Sequence, residues 1–406
     1  MRPRLPLLVA LLCIAAAVLP AVGAQSGDTL GITRIDNTTN QLSIPDGEVA
    51  QSNYTSTGID VGTAVETGST GLHHRHEGMA FEEQFGSLSS DEERSRLMHA
   101  RLSAIEQRES ELDTRQDVAM RQYATGEISA LEFIRIRLLV NAEATQLRST
   151  LERVAAAPDA VPGYSPSREL STRIRTLEGE LVTLQGPVGG QLSEDISSND
   201  GRNVVYLQGS ADAYMLATIQ GDQYVRETRL DDERVPTQPD QFLQAAQSDT
   251  ETNRVDAADD RASELYTWLY ERQRPSFTYY GTSGVYELTA GHSNGELTAY
   301  IDGGTTNVFY EEQTRSLGDV QTTDTVTATT GTLRVTVQRS TETGPLLVTA
   351  SDSDTDATVD GTVAIDGQRV GETGSDGALW TVEPGGDYTL TVTSDGRRTT
   401  VTVPAA

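Results

Sequence analysis

The sequence predicts a multidomain α+β protein: a helical hairpin or three-helix bundle, then a duplicated unit of helix plus antiparallel hairpin, then an Ig-like β-sandwich. Three observations predict it. Apolar residues recur every three or four positions between Ser90 and Leu184, two later stretches repeat one another as short strands, and from about Gln321 the composition turns to alternating Thr, Val, Gly and Asp.

The hairpin is the most strongly patterned part. Ser90-Asp91-Glu92-Glu93 is a capping box, in which the serine side chain takes the Glu93 amide and the Glu93 carboxylate reaches back. Met98, Leu102, Ile105, Leu112, Ala119 and Tyr123 follow on one stripe, interrupted by Glu109 and Gln116. Gly126 supplies a left-handed helix end, and Ser129 to Glu132 form a second capping box with Ile128 in the staple position. Val140, Ala144, Leu147, Leu151 and Val154 then give the second arm a coiled-coil-like seam. At 1.5 Å per residue each arm spans roughly 40 to 50 Å.

A third helix from Arg168 to Leu184 carries Leu170, Ile174, Leu177, Leu181 and Leu184 at the same spacing, and Gly186-Pro187 ends it. Two readings follow. The stripes close a bundle core of their own, or they form a rod that binds a partner or a second copy.

Residues 1–24 read as a signal peptide: Arg2 and Arg4, an apolar run from Leu5 to Val18, then the small-residue pattern Val22-Gly23-Ala24. The single cysteine, Cys13, lies inside that run. A mature chain therefore has no disulfide and no thiolate metal site, and the expected location is extracellular or cell-surface associated. No later stretch is long and apolar enough for a transmembrane segment. The formal charge of −29, from 60 acidic and 31 basic residues, argues against nucleic acid as a partner. Every basic residue counted there is arginine. Such self-repulsion is screened at about 1 M salt, where the Debye length falls to about 3 Å. This lysine-free, Asp-, Glu- and Thr-rich composition resembles that of proteins from salt-loving archaea.

Residues 25–70 are polar, without a sustained period, and are expected to be a flexible leader. Two glycosylation sequons fall there, at Asn37 and Asn53. His73, His74, His76 and His99 raise a metal-binding reading against that of a solvated helix start. Their spacing matches no regular ligand pattern, so no metal ligand is assigned. The helical region is then bounded as 71–187.

Residues 188–320 are expected to form an α+β domain with an internal repeat. Val205-Tyr206, Leu216 to Gly221 and Tyr224 to Leu230 run parallel to Val285-Tyr286, Leu297 to Gly303 and Val308 to Leu317, and each group follows a helix. Turns are expected at Gly221-Asp222, Asn294-Gly295 and Gly303-Gly304. The two units pack as one domain or as two small ones. Within 281–315, Val285-Tyr286-Glu287-Leu288, Asn294 to Leu297 and Ala299 to Gly303 resemble a PepSY-type module, although Gly303-Gly304-Thr305 departs from its usual Thr-Gly. That resemblance implies peptidase inhibition or ligand binding in the envelope.

Residues 321–406 read as a β-sandwich of seven short strands. Val363 to Gly367, Thr373 to Gly377 and Glu383 to Tyr388 resemble the carboxypeptidase-regulatory-like sandwich over 345–403, which implies a non-catalytic display or adhesion module. Asp352, Asp354, Asp356 and Asp360 raise a calcium reading against a salt-adapted acidic loop. Ala357 and Val363 stand where the helical calcium motif needs Gly and Glu.

No nucleophile elbow, zinc-protease helix or phosphate loop occurs, so no catalytic residue and no cofactor is assigned. The expected function is that of a secreted or cell-surface non-catalytic structural and interaction protein, binding an envelope partner or itself through the helical region. Two alternatives stand beside it: an exported peptidase inhibitor or chaperone, and an extracellular hydrolase. Over its whole length the chain resembles uncharacterised secreted haloarchaeal proteins that pair such a hairpin with the Val-Tyr and Tyr-Val-Arg-Glu strand segments.

Overall fold

The computed structural model describes residues 41–45, 47–57, 61–198, 203–248, 253–292 and 294–405. All belong to the compact unit Arg34–Ala406. The expected signal peptide, Cys13 and Asn37 lie outside the described residues.

The hairpin forms as its caps dictate. Helix α2 (Asp91–Ala124) starts at Ser90, whose side chain accepts the Glu93 amide at 3.2 Å, and Gly126 takes φ 75 just past its end. Ser129 caps α3 (Ala130–Ala156) in the same way. Their stripes meet α4 (Arg168–Val182): Met98, Leu102 and Ile105 pack with Val140, Leu147 and Leu151 and with Leu170, Leu177 and Leu181.

Two further helices enlarge the bundle, and both correct the sequence reading. Most of the expected leader is ordered. Residues Gln51–Thr57 form strand β1, and Val61–Ser87 form a helix, α1, packed on α3. Glycines and β-branched residues disguise that helix, because its hold comes from tertiary packing. Phe81 and Phe85 anchor it in the core, and Gly78 permits close approach: a Cβ there would stand 2.9 Å from Arg153 Cδ. Beyond α4, Pro187 does not end the helical region. It opens α5 (Pro187–Ser198), since proline is tolerated in a first turn.

The repeated units merge into one antiparallel sheet of eight strands, ordered β1-β2-β3-β4-β8-β7-β6-β5. Its remaining strands are β2 (Asn203–Gly209), β3 (Ala213–Gln220), β4 (Gln223–Leu230), β5 (Ser276–Tyr279), β6 (Val285–His292), β7 (Gly295–Asp302) and β8 (Val308–Ser316). The order is palindromic, with β4 and β8 at the centre. The Gly221-Asp222 turn forms as expected, whereas Gly303-Gly304 opens a five-residue loop closed by Asp302 N–H on the Asn307 carbonyl at 2.9 Å.

Both faces of the sheet are covered. On one, Tyr123, Phe133 and Val188 from α2, α3 and α5 meet Val205, Tyr214 and Val225. On the other, α6 (Gln241–Ser248), α7 (Arg254–Leu265) and α8 (Thr267–Tyr270), with Tyr266 between the last two, lay Phe242, Ala262, Tyr266 and Leu269 on Met215, Tyr224 and Leu288. Leu42 and Ile44 are buried in this second core.

The C-terminal β-sandwich has two four-stranded sheets, β14-β11-β10-β9 and β13-β12-β15-β16. These comprise β9 (Asp324–Thr330), β10 (Leu333–Arg339), β11 (Pro345–Asp352), β12 (Thr362–Ile365), β13 (Gln368–Glu372), β14 (Ala378–Val382), β15 (Tyr388–Ser394) and β16 (Arg397–Val403). The strand missed from sequence is β13, a short polar run after the Asp366-Gly367 turn, whose φ angles of 47 and 81 are those of a tight hairpin.

One buried ion pair joins helices to sheet. Arg137 of α3 and Glu227 of β4 meet at 3.0 Å with side-chain exposures of 2% and 0%. Arg137 also donates to Gln116 Oε1 at 2.8 Å and to the Leu184 carbonyl at 3.2 Å, while Glu227 Oε2 accepts the Val188 amide at 3.2 Å at the start of α5. A Cβ on Gly186 would stand 2.1 Å from that oxygen. Removing one partner of a buried pair strands the other charge. Glu227→Ala is therefore expected to lose about 3–5 kcal/mol of stability in chemical denaturation, whereas Arg137→Met with Glu227→Leu loses less than the single change.

Candidate functional site

The histidines singled out in the sequence do not converge on one point. His73 and His74, on α1, line a groove of about 480 Å³ with Glu77, Arg101, Arg108 and Glu143. Arg108 forks onto Glu143 through Nε and Nη2, the latter at 2.8 Å, and Arg101 donates to Glu77 at 2.9 Å. Burial alone would raise the Glu143 carboxyl, but the nearby His74 and the Arg108 fork outweigh it and hold the group down, to about 2. His74 is buried, 3.7 Å from a carboxylate oxygen of both Glu77 and Glu143. His76 is exposed on the same helix, and His99 sits elsewhere, 3.2 Å from Arg173 Nη1. Among the described residues no group of three or more His, Cys, Asp or Glu is placed to hold a metal ion.

The aspartates of the 352–360 stretch serve the loop itself. Asp352 Oδ1 accepts the Asp354 and Thr355 amides, each at 3.1 Å, which shapes the turn after β11. Asp356 takes Arg334 at 2.7 Å, and Asp360 accepts the Gly374 amide at 3.1 Å. Asn53 lies in β1, half-buried, with Nδ2 donating to Tyr123 Oη at 2.9 Å. The nitrogen to which a glycan would be attached is engaged in the fold.

A second groove, of about 470 Å³, lies where sheet and sandwich meet and was not legible in the sequence. Tyr54, Val204 and Ile219 line one side, Arg369, Trp380 and Thr381 the other. It exists because the sandwich is docked by specific bonds: Tyr54 Oη to the Val382 carbonyl at 2.7 Å, Tyr224 Oη to the Thr343 carbonyl at 2.6 Å, and the Gly385 amide to Tyr206 Oη at 3.2 Å. Each half of the groove is ordinary strand surface, so only the docking reveals it.

Several carboxyls sit under strain of charge, Glu312 and Glu109 among them. Glu312 of β8 stands opposite Glu227 in the sheet register, and burial together with that neighbour pushes it up to about 8. On α2, burial and the charges of Glu180 and Asp113 push Glu109 up to about 7.

These features define a multidomain α+β protein closed by an Ig-like sandwich. Residues 1–201 match a domain of unknown function (DUF7096), residues 205–321 a family of unknown function (DUF7094), and residues 324–401 an archaeal fibronectin-III type-like domain. The three matches follow one another along the chain, and the third coincides with the Ig-like sandwich. The PepSY-like segments fall within the second match, which is described only as a family of unknown function, and the carboxypeptidase-regulatory-like stretch overlaps the third up to residue 401. No curated protein matches the chain. The structure crosses these divisions: β1, from the first, completes the sheet of the second, and Tyr224 of the second bonds Thr343 of the third.

Glu312 and Glu109 have folded values above the ordinary 4.5, so they favour the fold when protonated. That contribution is complete below about pH 4.5 and is lost as pH rises through 7 to 8. Glu312→Gln is expected to melt above the parent at pH 8.5 but not at pH 5, read from thermal unfolding in multimolar salt.

Proposed function

We propose that this chain is a secreted or cell-surface, non-catalytic structural and interaction protein of a salt-adapted archaeon, binding an envelope partner or a second copy. The observation that carries the reading is the fibronectin-III type-like sandwich, held to the central sheet by the tyrosine hydrogen bonds to Val382, Thr343 and Gly385. A display module fixed in this way presents its surface at a set angle to the helices. The sequence features at the amino terminus, Arg2, Arg4 and the apolar run to Val18, support export. Among the described residues no helix is long and apolar enough to cross a membrane.

Exposed apolar side chains point to the binding surface. Val65, Leu72 and Met79 lie at intervals of seven on α1, with exposures of 65%, 67% and 58%. Such a stripe is the pattern that pairs helices. The alternative, an exported peptidase inhibitor or chaperone, rests on the PepSY-like segments Val285 to Leu288 and Asn294 to Gly303. Inhibition of secreted proteases from a high-salt culture tests it directly. Glycosylation is proposed at Asn37 and at Asn53, where the glycan would be attached to the nitrogen that donates to Tyr123.

The test is a pull-down and light-scattering measurement in multimolar salt with the full chain, beside Leu72→Asp. The hairpin itself supplies core, so a surface substitution is the appropriate probe. Capture of an envelope protein or self-association, weakened by the substitution, is the expected result. A strictly monomeric chain that captures nothing would overturn the reading.

A further inference from the structure

The segment 41–45 is neither helix nor strand, yet Leu42 and Ile44 are 0% and 3% exposed. What holds it is unusual for extended backbone. The Leu42 N–H donates to Glu311 Oε1 at 2.9 Å, and the Leu42 carbonyl accepts from Arg226 Nη2. A single residue thus has both main-chain groups bound by one ion pair, drawn from the two central strands β4 and β8. In a sheet those groups would be met by a neighbouring backbone.

The pair is built in place before the segment is considered. Arg226 Nη1 lies 3.4 Å from Glu311 Oε1, with side-chain exposures of 1% and 0%. Glu311 Oε2 accepts Tyr266 Oη at 2.6 Å, and Gln313 Nε2 donates to Oε1 at 3.0 Å. Without Leu42, Glu311 loses a donor and Arg226 Nη2 an acceptor, while Arg226 Nε already has no hydrogen-bond partner. A vacated site would therefore hold two under-satisfied charges over an apolar recess, a costly state relieved by any backbone of suitable shape. Gln41 adds an outer contact, donating to the Glu342 carbonyl at 2.6 Å. On the other side the chain leaves through a turn closed by the Glu48 amide on the Pro45 carbonyl at 2.8 Å, then enters β1.

We propose that Arg226, Glu311 and Tyr266 form a peptide-binding site for an extended segment with Leu at one position and an apolar residue two further on. Residues 41–45 fill it in cis, and the same segment of a second copy fills it in trans when the turn at 45–48 opens. Short hinges of this kind allow identical elements to be exchanged between protomers. The inference deepens the self-association reading of the function, and the two can fail separately, because copies could associate through α1 with no segment exchanged.

The experiment places a protease site within residues 46–48 of the full chain, which is folded and then cut. A fluorescent peptide of residues 38–46 is added. Saturable binding is expected, weakened about 10- to 100-fold when the peptide carries Leu42→Ala, the equivalent of one buried leucine side chain. Glu311→Gln in the chain is expected to weaken it as well. A cut chain that stays folded and refuses the peptide overturns the proposal. If the cut chain unfolds, hydrogen exchange on the uncut chain decides: the Leu42 amide should exchange by local opening, faster than the amides of β4. Exchange only through global unfolding would overturn the proposal. Exchange-dimer formation by uncut chains, abolished by Leu42→Asp, identifies the second copy as the source in trans.

Discussion

The Arg137–Glu227 pair is the constraint on which the rest of the structure depends. Its two charges are fully removed from water, a placement that is costly unless each is bonded on several sides. Arg137 meets that demand with Gln116 and the Leu184 carbonyl, and Glu227 with the first turn of α5. The pair therefore fixes α2, α3, the end of α4 and α5 over the centre of the sheet. It contributes geometry more than net stability.

The sheet carries a second such arrangement on its opposite face. Arg226 and Glu311 sit under α6–α8, next in sequence to Glu227 and Glu312, which face the other way. Alternation along a strand puts neighbours on opposite faces, so the palindromic repeat places charged residues in both cores. Each face resolves this differently. One recruits a helix start and an arginine, the other a tyrosine and the backbone of Leu42. The sandwich is then locked to the sheet through hydroxyls of Tyr54, Tyr206 and Tyr224, whose rings belong to that same second core.

What the sequence made legible was local. Ser90, Gly126 and Ser129 each act on the next few residues, and their consequences were readable without the fold. The period-two strands of the sandwich were equally plain, and β13 escaped because its five residues hold one valine and a glycine. The misses are non-local. Helix α1 depends on packing beside α3, where Gly78 matters, β1 on its pairing with β2, and Leu42 on a pocket built some 180 and 270 residues later, at Arg226 and Glu311. One signal could have found that pocket. Arg226, Glu227, Glu311 and Glu312 stand in strands flanked by apolar ones, and a charge in a central strand needs a buried partner.

The regions matching three separate family models are expected to fold as one cooperative body, coupled through the buried pairs and the tyrosine bonds. The most direct test is equilibrium unfolding in multimolar salt followed by two probes on the same sample. Far-UV circular dichroism reports the helices, while fluorescence of the two tryptophans, Trp268 and Trp380, reports the sheet layer and the sandwich. Coincident transitions at every denaturant concentration are the predicted result. A tryptophan transition complete while the helical signal is still native would contradict it.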